Sequence, residues 1–71
     1  MTTRTGTVGA FDEHVGLGTV IDEEGASYRF HCTQIDDGSR TIPPGAAVEF
    51  HLAAVHGGCW EAVGIRRPRK V

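Results

Sequence analysis

The chain has 71 residues, a formal charge of −2 and 39% hydrophobic residues, with ten glycines and three prolines. That length holds one domain, which on folding removes only roughly 60% of the unfolded chain's surface from water, and the composition excludes a disordered chain. No apolar run is long enough to span a bilayer, and Met1-Thr2-Thr3-Arg4-Thr5 lacks the apolar stretch of a secretory signal, so the cytoplasm is the expected compartment.

No apolar pattern of helical period runs for a useful length; five short segments of strand character alternate with Gly, Pro and Asp punctuation. The first is Arg4 to Phe11, with Val8 inward and Gly6 and Gly9 marking a bend or a close approach. The second runs from Leu17 to Asp22, and Glu23-Glu24-Gly25-Ala26 turns it into the third, Ser27 to Cys32. Thr33-Gln34-Ile35 reads as one turn of tight helix that drops Ile35 into the core, and Asp36-Asp37-Gly38-Ser39 is a turn cluster. Thr41-Ile42-Pro43-Pro44-Gly45 ends a crossing loop, since proline cannot donate to a ladder. The fourth strand, Ala46 to Ala54, sends Val48, Phe50 and Leu52 inward and Glu49 and His51 outward. His56-Gly57-Gly58 turns the chain into the fifth, Trp60 to Ile65, with Val63 and Ile65 inward. Five short strands without a covering helix close most economically as an all-β, five-stranded antiparallel barrel.

Residues two apart on a strand share a face. Leu17 and Thr19 therefore point one way with Arg29 and His31, provided the second and third strands pair in hairpin register, and that face is expected to be flat and wet. Val20, Tyr28 and Phe30 point the other way, into the core. Charge is segregated: Asp22, Glu23, Glu24, Asp36 and Asp37 fall in turns, while Arg66, Arg67, Arg69 and Lys70 close the chain. The expected organisation is a barrel over residues 1–66 and a basic tail over 67–71, which either holds phosphates by counterion release or frays into solvent. Cys32 and Cys59 are too few for a disulfide scaffold and are expected as free thiols.

Gly6-Thr7-Val8 with Phe11-Asp12, Gly16-Leu17-Gly18, Phe30-His31 with Thr33 and Ile35, Gly45 with Val48-Glu49-Phe50, and Glu61-Ala62-Val63 together resemble the bacterial cold-shock domain family over residues 5 to 65. The resemblance implies a five-stranded OB-type barrel that binds single-stranded RNA and DNA, with bases stacked on aromatic side chains of the sheet. Where the family's first ribonucleoprotein motif reads Lys-Gly-Phe-Gly-Phe, this chain has Val15, Gly16, Leu17, Gly18 and Thr19. Where the second reads Val-Phe-Val-His-Phe, it has Tyr28, Arg29, Phe30, His31 and Cys32. The tryptophan of the family's first strand is Ala10, its neighbouring lysine is Gly9, and the aromatic of the long loop falls at Ser39.

Each base stack contributes about 1–3 kcal/mol, so the chain is expected to bind single strands weakly, with Phe11, Leu17, Arg29, His31, Arg40 and Trp60 as contacts. Arg29 stands at a stacking position with a planar guanidinium that can lie on a base and attract phosphate. Trp60 is the only tryptophan, and Arg40 keeps the family's basic loop position. A second reading makes the same face a protein-interaction surface, with the exposed Leu17 packing against a second copy of the chain. Enzymatic activity, a small-molecule substrate and a cofactor are not expected: His31 and Cys32 are adjacent on a strand and point to opposite faces. Gly16-x-Gly18 is followed by no helix, lysine or hydroxyl partner of a phosphate loop. His51, His56, Cys59 and Cys32 lack ligand spacing, so no metal is expected.

Overall fold

In the computed structural model, which describes residues 3–36, 38–54 and 59–68, five strands form the fold. They are β1 (Arg4–Asp12), β2 (Leu17–Asp22), β3 (Ser27–His31), β4 (Ala47–Ala54) and β5 (Trp60–Arg66), with one 3₁₀ turn, Cys32–Gln34, after β3. They close into a barrel in the order β1-β2-β3-β5-β4, with β4 returning to β1. Five neighbours in a ring cannot alternate direction all the way round, so one pair must run parallel. That pair is β3 with β5, through Arg29 opposite Glu61, and it corrects the expectation of an all-antiparallel barrel; β1–β2, β2–β3, β1–β4 and β4–β5 are antiparallel. A parallel bridge between Ile35 and Ile65 prolongs the contact past the end of β3.

The β2–β3 turn is built around Asp22, whose Oδ1 accepts from the backbone N–H groups of Glu24 and Ala26, both at 2.9 Å. Its Oδ2 lies 3.5 Å from the Arg4 guanidinium without a hydrogen bond, so the side chain, 4% exposed, keeps a countercharge but no direct donor there. Cys32 leaves the predicted third strand because the 3₁₀ turn begins there, closed by Ile35 N–H donating to the Cys32 carbonyl at 3.1 Å. His56-Gly57-Gly58, Asp37 and the tail residues Arg69 and Lys70 lie outside the described residues.

The core comprises Val8, Val20, Phe30, Ile35, Ile42, Val48, Phe50, Ala62 and Ile65. Tyr28, expected in the core, is half-buried at its edge, its ring tilted by 52° against Phe50 at a centroid distance of 6.3 Å. Ile42, assigned to a loop, is buried as a member of the core cluster. On β5 the inward residues are Ala62 and Ile65, not Val63 and Ile65, and Val63 is only partly covered. The cause is a bulge: Glu49 faces Arg66 while His51 faces Val63, so β5 spends three residues where β4 spends two. Gly64 absorbs the extra residue at φ +61°, a conformation that costs glycine little.

A tight point of the barrel is Gly18, which faces Phe11 on one side and Phe30 on the other. A Cβ there would lie 2.7 Å from both the Ala10 carbonyl oxygen and Cζ of Phe30. Gly18→Ala is expected to cost about 3 kcal/mol through overpacking. For a 71-residue chain, whose whole stability is roughly 4–10 kcal/mol, that is a large fraction. Urea unfolding should show a much lower midpoint at unchanged slope; a loss below 1 kcal/mol would mean that Phe30 yields.

Candidate functional site

Leu17 opposite His31 and Thr19 opposite Arg29 place these four side chains on one outward face, as alternation along hairpin-paired strands requires. From β1, Ala10 stands opposite Thr19 and Asp12 opposite Leu17; from β5, Glu61 comes alongside Arg29. Leu17 is 48% exposed, and Ile21, two steps further along the same face of β2, is 40% exposed. A shallow groove of ≈ 340 Å³ runs between Ala10, Phe11 and Asp12 on one side and Leu17, Thr19 and Arg29 on the other, with Gly18 as its floor.

Arg29 is exposed and makes no ion pair among the described residues. Among the described residues it is the face's one permanent cation, between Glu61 on β5 and, at the far corner, Asp12, whose Oδ1 accepts from the His14 N–H at 2.9 Å. His31 is held by its neighbours: Nδ1 accepts from the Thr33 backbone N–H at 3.2 Å and lies 3.0 Å from the Thr33 hydroxyl. An Nδ1 that accepts carries no proton, so the neutral ring keeps its proton on Nε2 as its remaining donor. The same bond caps the 3₁₀ turn.

The other expected contacts sit elsewhere. Phe11 follows the bulge between Val8 and Ala10 in β1, which turns it to the inward set; its half-buried ring stacks on Phe30 at 5.8 Å and 13°, leaving one edge in the groove. Trp60 opens β5 opposite Ala54 and is 54% exposed. It shares the inward parity of Ala62, not that of Glu61, so it stands beside the face and not on it. Arg40 lies on the loop before β4, exposed and at φ +61°, a strained conformation for a residue with a Cβ. Asp12, Ile21 and Glu61 join the site without having been expected there. The period of two that selects Leu17 and Thr19 also selects Ile21, whereas Glu61 is reached only through the parallel pairing of β3 with β5.

Cys32 and Cys59 are free, with Cys32 Sγ 3.8 Å from His31 Nδ1. Among the described residues, no three His, Cys, Asp or Glu side chains are grouped to hold a metal ion, and His56 lies outside them. No helix among the described residues is long and apolar enough to cross a membrane.

A closed five-stranded β-barrel with a β1–β2–β3 meander and one parallel closure is a barrel of the OB type. No family model and no curated protein matches the chain. Among solved structures it is similar to one described as "drosophila Unr CSD456", a cold-shock domain structure, with a TM-score of 0.77 and 28% identity. The match covers 96% of this chain and 27% of that one, so the chain spans about a quarter of that structure's length.

If His31 caps the 3₁₀ turn, His31→Ala should lower stability by about 1 kcal/mol, and His31→Asn, whose amide oxygen can take the Thr33 N–H, should recover most of it. Urea unfolding of the pair measures this; equal losses for both would show that the cap contributes nothing.

Proposed function

We propose that this barrel is a non-enzymatic, cold-shock-like module that binds single-stranded RNA or DNA weakly across the outward face of β1, β2 and β3. The observation that carries the reading is the register that sets Leu17, Thr19, Arg29 and His31 on one flat, exposed face beside an open groove. The likeness to a cold-shock domain structure supports it. In this reading Arg29 lies against a base while drawing a phosphate. His31 offers a pre-oriented ring and its Nε2–H, Leu17 gives a base an apolar surface, and the free edge of Phe11 closes the groove. Trp60, Arg40 and the basic end of the chain add peripheral contacts.

Weak binding follows from the charges. One arginine faces two carboxylates, and neither Leu17 nor Thr19 supplies the 1–3 kcal/mol of an aromatic stack. A dissociation constant of roughly 10–100 μM near physiological salt is expected. If about two phosphates are neutralised, log K against log salt should have a slope of roughly −1.4 for a single strand. Anisotropy of a labelled pyrimidine-rich oligonucleotide, with Trp60 fluorescence as the internal reporter, gives both quantities. Arg29→Ala should weaken binding about tenfold, as loss of a charge-assisted contact does. Unchanged affinity in that variant would remove Arg29 from the site, and no response in either signal at hundreds of micromolar would sink the reading.

A second occupant of the face is favoured by one observation: Leu17 and Ile21 are two exposed apolar side chains on the same side of β2. They suit self-association, in which a two-fold axis would set the Arg29 of one copy near a carboxylate of the other. Leu17→Arg separates the readings. It should raise oligonucleotide affinity severalfold by adding a cation to the groove, and sedimentation should show a monomer before and after. A dimer that the substitution dissolves, with no gain in affinity, would favour self-association.

A further inference from the structure

Across β1, β2 and β3 the register sets the outward side chains in two rows, Asp12, Leu17 and His31 in one and Ala10, Thr19 and Arg29 in the next. Asp12 and Arg29 thus stand diagonally across β2, a carboxylate on one side and a guanidinium on the other. Two strand spacings separate their backbones by about 10 Å in the direction across the strands. Both line the ≈ 340 Å³ groove with Leu17 and Thr19, and among the described residues neither makes an ion pair. Glu61, the other carboxylate beside Arg29, does not line it.

Asp12 is held by the turn that follows β1. Its Oδ1 accepts from the His14 N–H at 2.9 Å, and its backbone carbonyl accepts from the Gly16 N–H at 2.8 Å. That orients the carboxylate and leaves Oδ2, with the second lone pair of Oδ1, to a ligand. Opposite charges that line one groove without meeting ask for a ligand with donors at one edge and acceptors at the other. Leu17, 48% exposed, adds an apolar surface for a flat body. A phosphate suits Arg29 but is repelled by Asp12, and an ammonium group has the reverse difficulty.

A nucleobase meets both, and the bases differ in how well. Guanine has two adjacent donors, N1–H and the N2 amino group, on one edge and two adjacent acceptors, O6 and N7, on another. Adenine and cytosine offer a carboxylate one amino group beside an acceptor, and thymine or uracil one N–H between two carbonyls. We propose that the groove selects guanine within a single strand, with N1–H and the N2 amino group donating to Asp12, and Arg29 donating to O6 and N7, its usual bidentate pairing with this base. Asp12, which weakens the attraction for phosphate, is then the residue that gives the face its base preference. This selectivity rests on single strands binding the sheet face, as proposed above.

Anisotropy of the full chain with a labelled short oligothymidine, and with the same strand carrying one central guanine, tests it. The guanine strand should bind about tenfold more tightly, as one good bidentate pair allows. Adenine or cytosine in its place should give no such gain. Inosine, which lacks the N2 amino group, and 7-deazaguanine, which lacks N7, should each lose most of it. Asp12→Asn should abolish the guanine preference while raising affinity for the oligothymidine. Arg29→Lys, which keeps the charge without the planar fork, should bind the guanine and 7-deazaguanine strands alike. The base analogues are read on the unaltered chain, so the test does not depend on any variant folding. Equal affinity for the guanine strand and the oligothymidine would overturn the selectivity and leave single-strand binding standing, whereas no binding of any strand would overturn both. A guanine gain that survives inosine or Asp12→Asn would remove Asp12 from the role, and guanosine 5′-monophosphate binding as tightly as the strand would refute a strand as the source of the base.

Discussion

The barrel depends on one close approach, the Phe30 ring packed under the backbone of β2 at Gly18. Phe30 is among the largest fully buried side chains, and any Cβ at position 18 would occupy the volume of its ring. The contact packs the Phe30 side chain of β3 directly against the β2 backbone. It also seats Phe11, whose ring lies nearly parallel to that of Phe30 and covers the end of the core. A chain this small buries little apolar surface in total, so a stack of two phenylalanines over a glycine is a large part of what holds three of its five strands together.

Because a strand sends successive side chains to opposite faces, that packing leaves the outward face unconstrained. Thr19 and Arg29 lie outside the core cluster. Fold and binding chemistry are thus written in alternate residues of the same strands. Gly16, Gly18, Val20 and Phe30 shape the sheet, while Leu17, Thr19, Arg29 and His31 make up its outward face. His31 is the exception, since its Nδ1 is tied into the 3₁₀ turn while the rest of the ring belongs to the face.

This division explains what could be read from the chain beforehand. Alternation and turn residues located all five strands to within a residue or so, because apolar period and glycine, proline and aspartate chemistry are local. The shared face of Leu17, Thr19, Arg29 and His31 followed from a hairpin, which is also local. Non-local features were the ones missed. The parallel β3–β5 closure that brings Glu61 beside Arg29 depends on the ring having an odd number of strands. The bulge at Gly64 exchanged Val63 for Ala62 in the core, and the bulge at Gly9 turned Phe11 away from the face; both shift register by one residue, and one residue reverses every side chain beyond it. Ile42 was hidden because burial of a loop residue is set by which strands its loop crosses.

The formal charge of −2 is a poor guide to what such a surface attracts. Exposed charges further apart than a screening length of about 8 Å at physiological salt act almost independently, so placement matters more than the sum. Asp22, at the β2–β3 turn, is engaged locally: it organises the hairpin and is partnered by Arg4. Exposed arginines stand elsewhere, Arg29 on the sheet face opposite Glu61 and Arg66 at the end of β5 paired with Glu49, each close to a carboxylate that trims its field. A phosphate approaching Arg29 meets Glu61 one strand away, so the same pairing that closes the barrel weakens the face it creates. Long-range attraction is therefore small, and in the proposed reading selection on the sheet face rests on contact: the planar fork of an arginine, an oriented ring and an apolar surface of the right size.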